Sequence, residues 1–170
     1  IEAKWQAQWE QMGINKYDWN DTTKVPYSID TPPPYPSGEL HMGNVLNWTY
    51  FDIVARFKRM QGYNVLFPQG WDCHGLGIEI QVEKARNIRK RDVPPEQFRH
   101  WCIELVDKYI GMMKEGILKL GASIDWSTEY KTMDPNYWRR TQLSFIQLYK
   151  KGYMYQGTHP VNWCPRDETA

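Results

Sequence analysis

The stretch from residue 25 to residue 68 constrains the fold more than any other part of the chain. Residues 25–30 alternate and then turn apolar before Thr31-Pro32-Pro33-Pro34, a run that neither a strand interior nor a helix interior can absorb. A short strand therefore enters a stiff loop. From Gly43 the apolar positions Leu46, Tyr50, Ile53, Phe57 and Met60 recur at spacings of four, three, four and three, and Gly62 follows as a stop. This predicts an amphipathic helix of about five turns. Residues 63–68 (YNVLFP) form a compact β-prone run, read as a buried strand. Strand, helix and strand in so short a span make a βαβ unit, whose two strands are expected to be parallel. The fold class that follows is α/β, with a Rossmann-like parallel sheet and flanking helices.

Around this unit the pattern is helical. Residues 1–12, with Trp5 and Trp9 four apart, predict a short helix ending at Gly13, followed by a polar linker, so residues 1–24 stand apart from the α/β part. Residues 78–89 read as a basic-ended helix, and residues 95–120 as a longer one that Gly121 breaks. Residues 123–132 (SIDWSTEYKT) read as a further strand. Asp134-Pro135 supplies an N-cap and first-turn proline for a helix with Trp138, Thr141, Phe145 and Leu148 on one face, closed by Gly152. Residues 153–163 are strand-like.

With 170 residues, 41% apolar, the chain can build one soluble globular domain with a real core. Its 21 basic and 20 acidic side chains exclude a wholly basic nucleic-acid module, so any RNA contact is local. No apolar run approaches the roughly 18 residues that cross a bilayer, no membrane partner is expected, and a cytoplasmic setting is the default. The three cysteines, Cys73, Cys102 and Cys164, are an odd, sparse set expected to be reduced thiols. The chain starts at Ile1 and stops at Ala170 inside a stretch without a cap or stop, and reads as a piece of something larger.

Two loops carry chemistry. The first spans Pro33, Pro34, Gly38, His41, Met42, Gly43 and Asn44, between the first strand and the first long helix. Ligands of parallel α/β sheets bind at the carboxyl ends of strands, where a helix N-terminus offers unpaired N–H groups and about half a positive charge. Phosphate suits that corner. Gly38 and Gly43 let a ligand approach the backbone, while His41 and Asn44 flank the first turn and can donate to phosphate or ribose oxygens. Ordinary turn punctuation is the competing account of the prolines and the helix-initial Asn. The second loop, residues 70–79 (GWDCHGLGIE), follows the second strand. Its Asp72 could hold a ligand ammonium through a charge-assisted hydrogen bond, or could be a plain turn or N-cap aspartate.

Three further features have double readings. Arg86, Arg89, Lys90 and Arg91 form a basic cluster that is either a solvated helix end or an RNA-backbone contact. The tryptophans at 5, 9, 101, 126, 138 and 163 are most simply core or domain-contact residues, with stacking on RNA bases as the alternative. Cys164 has no second thiol beside it, and zinc, which takes about four ligands, is not expected.

The two loops together resemble the class I aminoacyl-tRNA synthetases. The His-Ile-Gly-His signature of that family appears as His41-Met42-Gly43-Asn44 behind Pro-Pro-x-x-x-Gly, and Gly70-Trp71-Asp72-Cys73-His74-Gly75-Leu76 is similar to the loop of the valine and isoleucine branch. Residues 67–74, 124–135, 138–145 and 159–165 look like the archaeal-type valine enzymes; Ile78 is more typical of the isoleucine enzymes, the alternative. Asn44 replaces a histidine and cannot become cationic, and Gly77 replaces a proline. The resemblance implies ATP-dependent activation of valine to valyl-adenylate, with Mg2+ accompanying ATP, and transfer to tRNA. It implies ATP contacts from Thr31, His41, Gly43 and Asn44, with His41 and Asn44 catalytic. It also implies an amino-acid pocket walled by Pro33 and Pro34, and an ammonium site at Asp72. Residues 25–152 would be a catalytic half-domain and residues 153–170 the start of a connective insertion leading to an editing domain. The second ATP loop, Lys-Met-Ser-Lys-Ser, and the anticodon-binding domain have no counterpart here, so the remaining half of the catalytic domain and those domains are expected partners. A folded nucleotide-binding half-domain without turnover is the non-enzymatic alternative.

Overall fold

The computed structural model describes residues 1–167 and 169–170. They fall into two compact units, Ile1–Asp134 and Pro135–Ala170.

In the first unit, helix α1 (Glu2–Met12) ends on Gly13 at φ 62°, a left-handed position that favours glycine. Strand β1 (Pro26–Ser28), helix α2 (Met42–Met60) and strand β2 (Asn64–Leu66) form the expected βαβ unit. The strands pair in parallel with Tyr27 opposite Val65. The chain runs on into β3 (Gly70–Trp71), which pairs in parallel with β4 (Tyr130–Lys131). Residues 64–71 are thus the middle of the sheet region, bonded to β1 on one side and to residues 125–132 on the other through Asp125 N–H to Phe67 O at 2.9 Å and Thr132 N–H to Trp71 O at 3.0 Å. Helices α3 (Leu76–Arg86) and α4 (Pro95–Leu120) pack on this framework. Val65, Phe67, Trp71, Ile78, Val106, Met113, Ile117 and Ile124 fill the core. Its buried indoles are Trp48 and Trp71, whereas Trp5 and Trp163, expected as contact residues, are largely exposed.

Three expectations change. Residues 123–132 are not one strand. The Asp125 carboxylate accepts from Ser127 N–H at 3.0 Å and from Ser127 Oγ at 2.6 Å, curling Trp126–Thr128 into a 3-10 turn and limiting the strand to two residues. Residues 153–163 form no strand, because an alternating pattern becomes a strand only where a neighbour accepts its N–H groups; in the second unit the pairing among described residues is the antiparallel bridge between Cys164 and Thr169. The third concerns α2, whose periodic apolar stripe faces outward: Leu46 is 50% exposed, Ile53 58% and Met60 86%. Its inner side is Trp48, Phe51 and Ala55 together with a polar row. Asp52 accepts from Ser123 N–H at 2.6 Å, Arg56 donates to Gly121 O at 2.7 Å, and Arg59 donates to Ser123 O at 2.9 Å. Burial pulls the Arg59 guanidinium below its ordinary pKa, opposed by the Asp52 charge. These bonds satisfy the backbone of the α4–β4 connection, which a purely apolar face could not do.

In the second unit, helix α5 (Pro135–Lys150) has no buried residue, and Phe145 and Leu148 are exposed. No helix among the described residues is long and apolar enough to cross a membrane.

Candidate functional site

Both loops lie at the carboxyl ends of the strands that precede them, and one backbone bond joins them: Asp72 N–H donates to Pro34 O at 2.9 Å. The first loop is held at several points. Pro36 is fully buried, and Leu40 lies across Gly116 of α4, where a Cβ would come within 2.7 Å of Leu40 Cδ1. Neither anchor stands out in the sequence, because a proline among prolines and a glycine inside a helix have no local signal for the surface they meet. Pro33, Pro34 and Thr31 are half-buried, while Tyr35 is exposed. Gly38 adopts φ 133°, so conformation by itself favours glycine there.

His41 is the N-cap of α2. Its Nδ1 accepts from Asn44 N–H at 3.3 Å and Asn44 Oδ1 accepts from His41 N–H at 3.2 Å, a reciprocal capping box. Because Nδ1 receives a proton donor, the neutral ring carries its own proton on Nε2. Asn44 contributes its oxygen to the cap and keeps its NH2 as a donor. The exposed corner therefore presents donors: the His41 Nε2–H, the Asn44 amide and the first-turn N–H groups of Met42 and Gly43. An anion is the matching ligand. The Asn44 substitution thus preserves the cap and the donors without a second ring. Gly43 has a further reason to be glycine, since a Cβ there would sit 3.0 Å from His41 Nδ1 and Cε1.

Past β3, Asp72 is half-buried, and its carboxylate Oδ1 lies 3.4 Å from the Thr132 hydroxyl. Cys73 is buried, its thiol pushed up in pKa by burial, a packed residue rather than a ligand or nucleophile. His74 Nε2 lies 3.3 Å from Thr132 O. Gly75, at φ 122°, turns the chain into α3. Gly77 lies in the first turn of that helix, not in the loop, and a Cβ there would meet nothing within 4 Å, so its departure from proline leaves the packing intact. Ile78 is a core residue bordering a cavity of about 480 Å³ that Phe98 and Cys102 also line.

The other singled-out residues lie elsewhere. Arg86 pairs with Glu104 at 3.0 Å and stacks over Trp101, and Lys90 pairs with Glu79 at 2.8 Å, so acids neutralise much of the basic cluster. Cys164, in the second unit, has its thiol 3.3 Å from Asp167.

The family model of the class I tRNA synthetases for Ile, Leu, Met and Val matches residues 4–170. The chain belongs to this family. Among its relatives, the valine–tRNA ligase of Methanothermobacter thermautotrophicus is 59% identical over 99% of this chain, and that of Methanococcus maripaludis 54% identical over all of it. The chain spans 19% of the length of each. In structure, the class I chain superposes with a TM-score of 0.80, at 29% identity and over 98% of its length, on 20% of an Agrobacterium radiobacter LeuRS solved as a ternary complex with tRNA and LeuAMS. The likeness bears out the α/β, Rossmann-like class. The residue that reasoning from sequence missed in this synthetase segment is Thr132, whose one available signal was its place at the end of the run 123–132, beside the carboxyl end of β3.

Proposed function

We propose that this chain is the amino-terminal part of the catalytic domain of a valine–tRNA ligase, holding ATP at the start of α2 and the amino acid between Pro33, Pro34 and Asp72. The observation that carries the reading is the bond from Asp72 N–H to Pro34 O, which sets a carboxylate beside a loop that ends in anion donors. A zwitterionic amino acid next to a polyphosphate is the complementary pair of ligands.

Valine places its α-ammonium against Asp72, and its carboxylate attacks the α-phosphorus of ATP in line, forming a C–O–P bond as the bond to pyrophosphate breaks. The 3′-terminal adenosine of tRNA then takes the acyl group and AMP leaves. No covalent protein intermediate is required. The contribution of these residues is positioning and stabilisation of phosphate charge: Thr31, His41, Gly43 and Asn44 toward the nucleotide, with His41 and Asn44 donating to its oxygens. Magnesium would accompany the nucleotide and supply neutralisation of its phosphate charge.

The rest of the ligase supplies what this segment lacks. The outward stripe of α2 is suited to the remaining half of the catalytic domain, since so long an apolar row on a parallel βαβ unit requires cover. Residues 153–170 then open the connective insertion, in a cytoplasmic enzyme.

ATP–pyrophosphate exchange by the longer protein that carries this segment tests the reading, with valine, isoleucine and threonine compared. Exchange led by valine is expected; exchange led by isoleucine, or ATP binding without exchange, overturns it. Gly43→Ala gives a finer check. The added Cβ would press on the His41 ring at 3.0 Å and lengthen the 3.3 Å bond from Asn44 N–H to Nδ1, so the KM for ATP should rise about two- to fivefold, the equivalent of roughly 0.4–1 kcal/mol. The KM for valine should stay within about twofold.

A further inference from the structure

We propose that Thr132 is a positioning residue for the amino-acid ammonium site, acting through Asp72; this rests on the reading of Asp72 given above. One threonine holds three consecutive residues of the second loop. Its hydroxyl accepts from Cys73 N–H at 2.8 Å and faces Asp72 Oδ1 at 3.4 Å, and its carbonyl oxygen lies 3.3 Å from His74 Nε2.

The hydroxyl has a single proton. Because one of its lone pairs is committed to Cys73 N–H, that proton is directed away from Cys73, and the Asp72 carboxylate is the acceptor in front of it. Thr132 is itself fixed. It is 7% exposed, and its N–H donates to Trp71 O at 3.0 Å beside the β3–β4 pair. The hydroxyl is therefore a preorganised donor that costs no ordering when ligand arrives. With Oδ1 restrained, Oδ2 is the oxygen left to accept from a ligand. The adjacent cation does not compete, since Lys131 Nζ pairs with Asp107 at 2.6 Å. Asp72 thus keeps a negative charge for an incoming ammonium while a neutral hydroxyl fixes its rotamer.

The test uses valine-dependent ATP–pyrophosphate exchange by the longer protein carrying this segment. Thr132→Val removes the hydroxyl at nearly constant volume and should raise the KM for valine about three- to tenfold, the low end for a hydrogen bond to a charged group because the hydroxyl stands 3.4 Å from Asp72 Oδ1, with the KM for ATP held within about twofold. Thr132→Ser keeps the hydroxyl and should stay within about twofold of the parent protein for both substrates. In an Asp72→Asn background, Thr132→Val should add less than about twofold, because the charge it orients has gone. A valine KM unmoved by Thr132→Val, a penalty undiminished in the Asp72→Asn background, or a Thr132→Ser variant as impaired as Thr132→Val would each overturn the proposal. If Thr132→Val fails to fold, Thr132→Ala takes its place in the same cycle, and the serine arm stands unchanged. Should Asp72→Asn itself leave the valine KM untouched, the reading of Asp72 fails first, and the positioning role fails with it.

Discussion

Asp72→Ala should lower kcat/KM for valine in ATP–pyrophosphate exchange by roughly thirty- to a thousandfold, about 2–4 kcal/mol, the loss expected when one member of a partly desolvated charge pair is truncated. The reason is local. Asp72 is half-buried at the carboxyl end of β3, its N–H is already committed to Pro34 O at 2.9 Å, and that bond ties it to the loop that leads into α2. Removing it leaves an ammonium to be desolvated without a counter-charge. Folding should suffer little, because the main-chain bond to Pro34 survives the change. The melting temperature should therefore move by no more than a few degrees while valine-dependent exchange collapses and ATP binding persists. A variant that retains valine exchange within threefold of the parent would place the ammonium elsewhere.

Gly70→Ala should act the other way round, through the fold. In the parallel pairing of β3 with β4, Gly70 stands opposite Tyr130, and a Cβ on Gly70 would fall 2.3 Å from Tyr130 Cζ and 2.4 Å from its Oη. No carbon makes such a contact, so the outer end of the tyrosine ring must swing away from Gly70 and out of its half-buried place. Overpacking of this kind destabilises by about 1–3 kcal/mol, which for a chain of this length lowers Tm by roughly 3–10 °C. Because β3 and β4 present Asp72 and Thr132, valine affinity should fall with stability. Gly77→Ala is the internal comparison: its Cβ meets nothing within 4 Å and it lies in a helix, so thermal melting should be unchanged or slightly raised. Equal melting of the two variants would mean that the pairing of Gly70 with Tyr130 does not constrain the sheet.

Much of the site was legible because its signals are local. Glycines, prolines and a helix start mark the first loop, and a lone aspartate after an apolar run marks the second. The periodicity of α2, α4 and α5 likewise located those helices. Periodicity tells where a stripe lies, however, not what it meets. The stripe from Leu46 to Met60 faces outward, while the same helix uses Asp52, Arg56 and Arg59 to satisfy a distant backbone. That choice depends on carbonyls some sixty to seventy residues away in sequence, at Gly121 and Ser123, which no window along α2 contains. The run 123–132 misled for a related reason, since Asp125 bonding to Ser127 competes with the sheet ladder, and the outcome is decided by how much of a neighbouring strand is available.

What the chain determines by itself is the order of its elements, the parallel sense of its first two strands, and the presence of two candidate ligand loops at their carboxyl ends. These follow from short-range sterics, from the missing donor of proline, and from the handedness of a βαβ crossover. Tertiary structure alone decided that the loops are bonded to each other, that Nδ1 of His41 is committed to the helix cap, and that Thr132 stands behind Asp72. Hydrogen bonds such as these form between residues brought together only after the core has closed, and their geometry is set by packing rather than by neighbours in the chain.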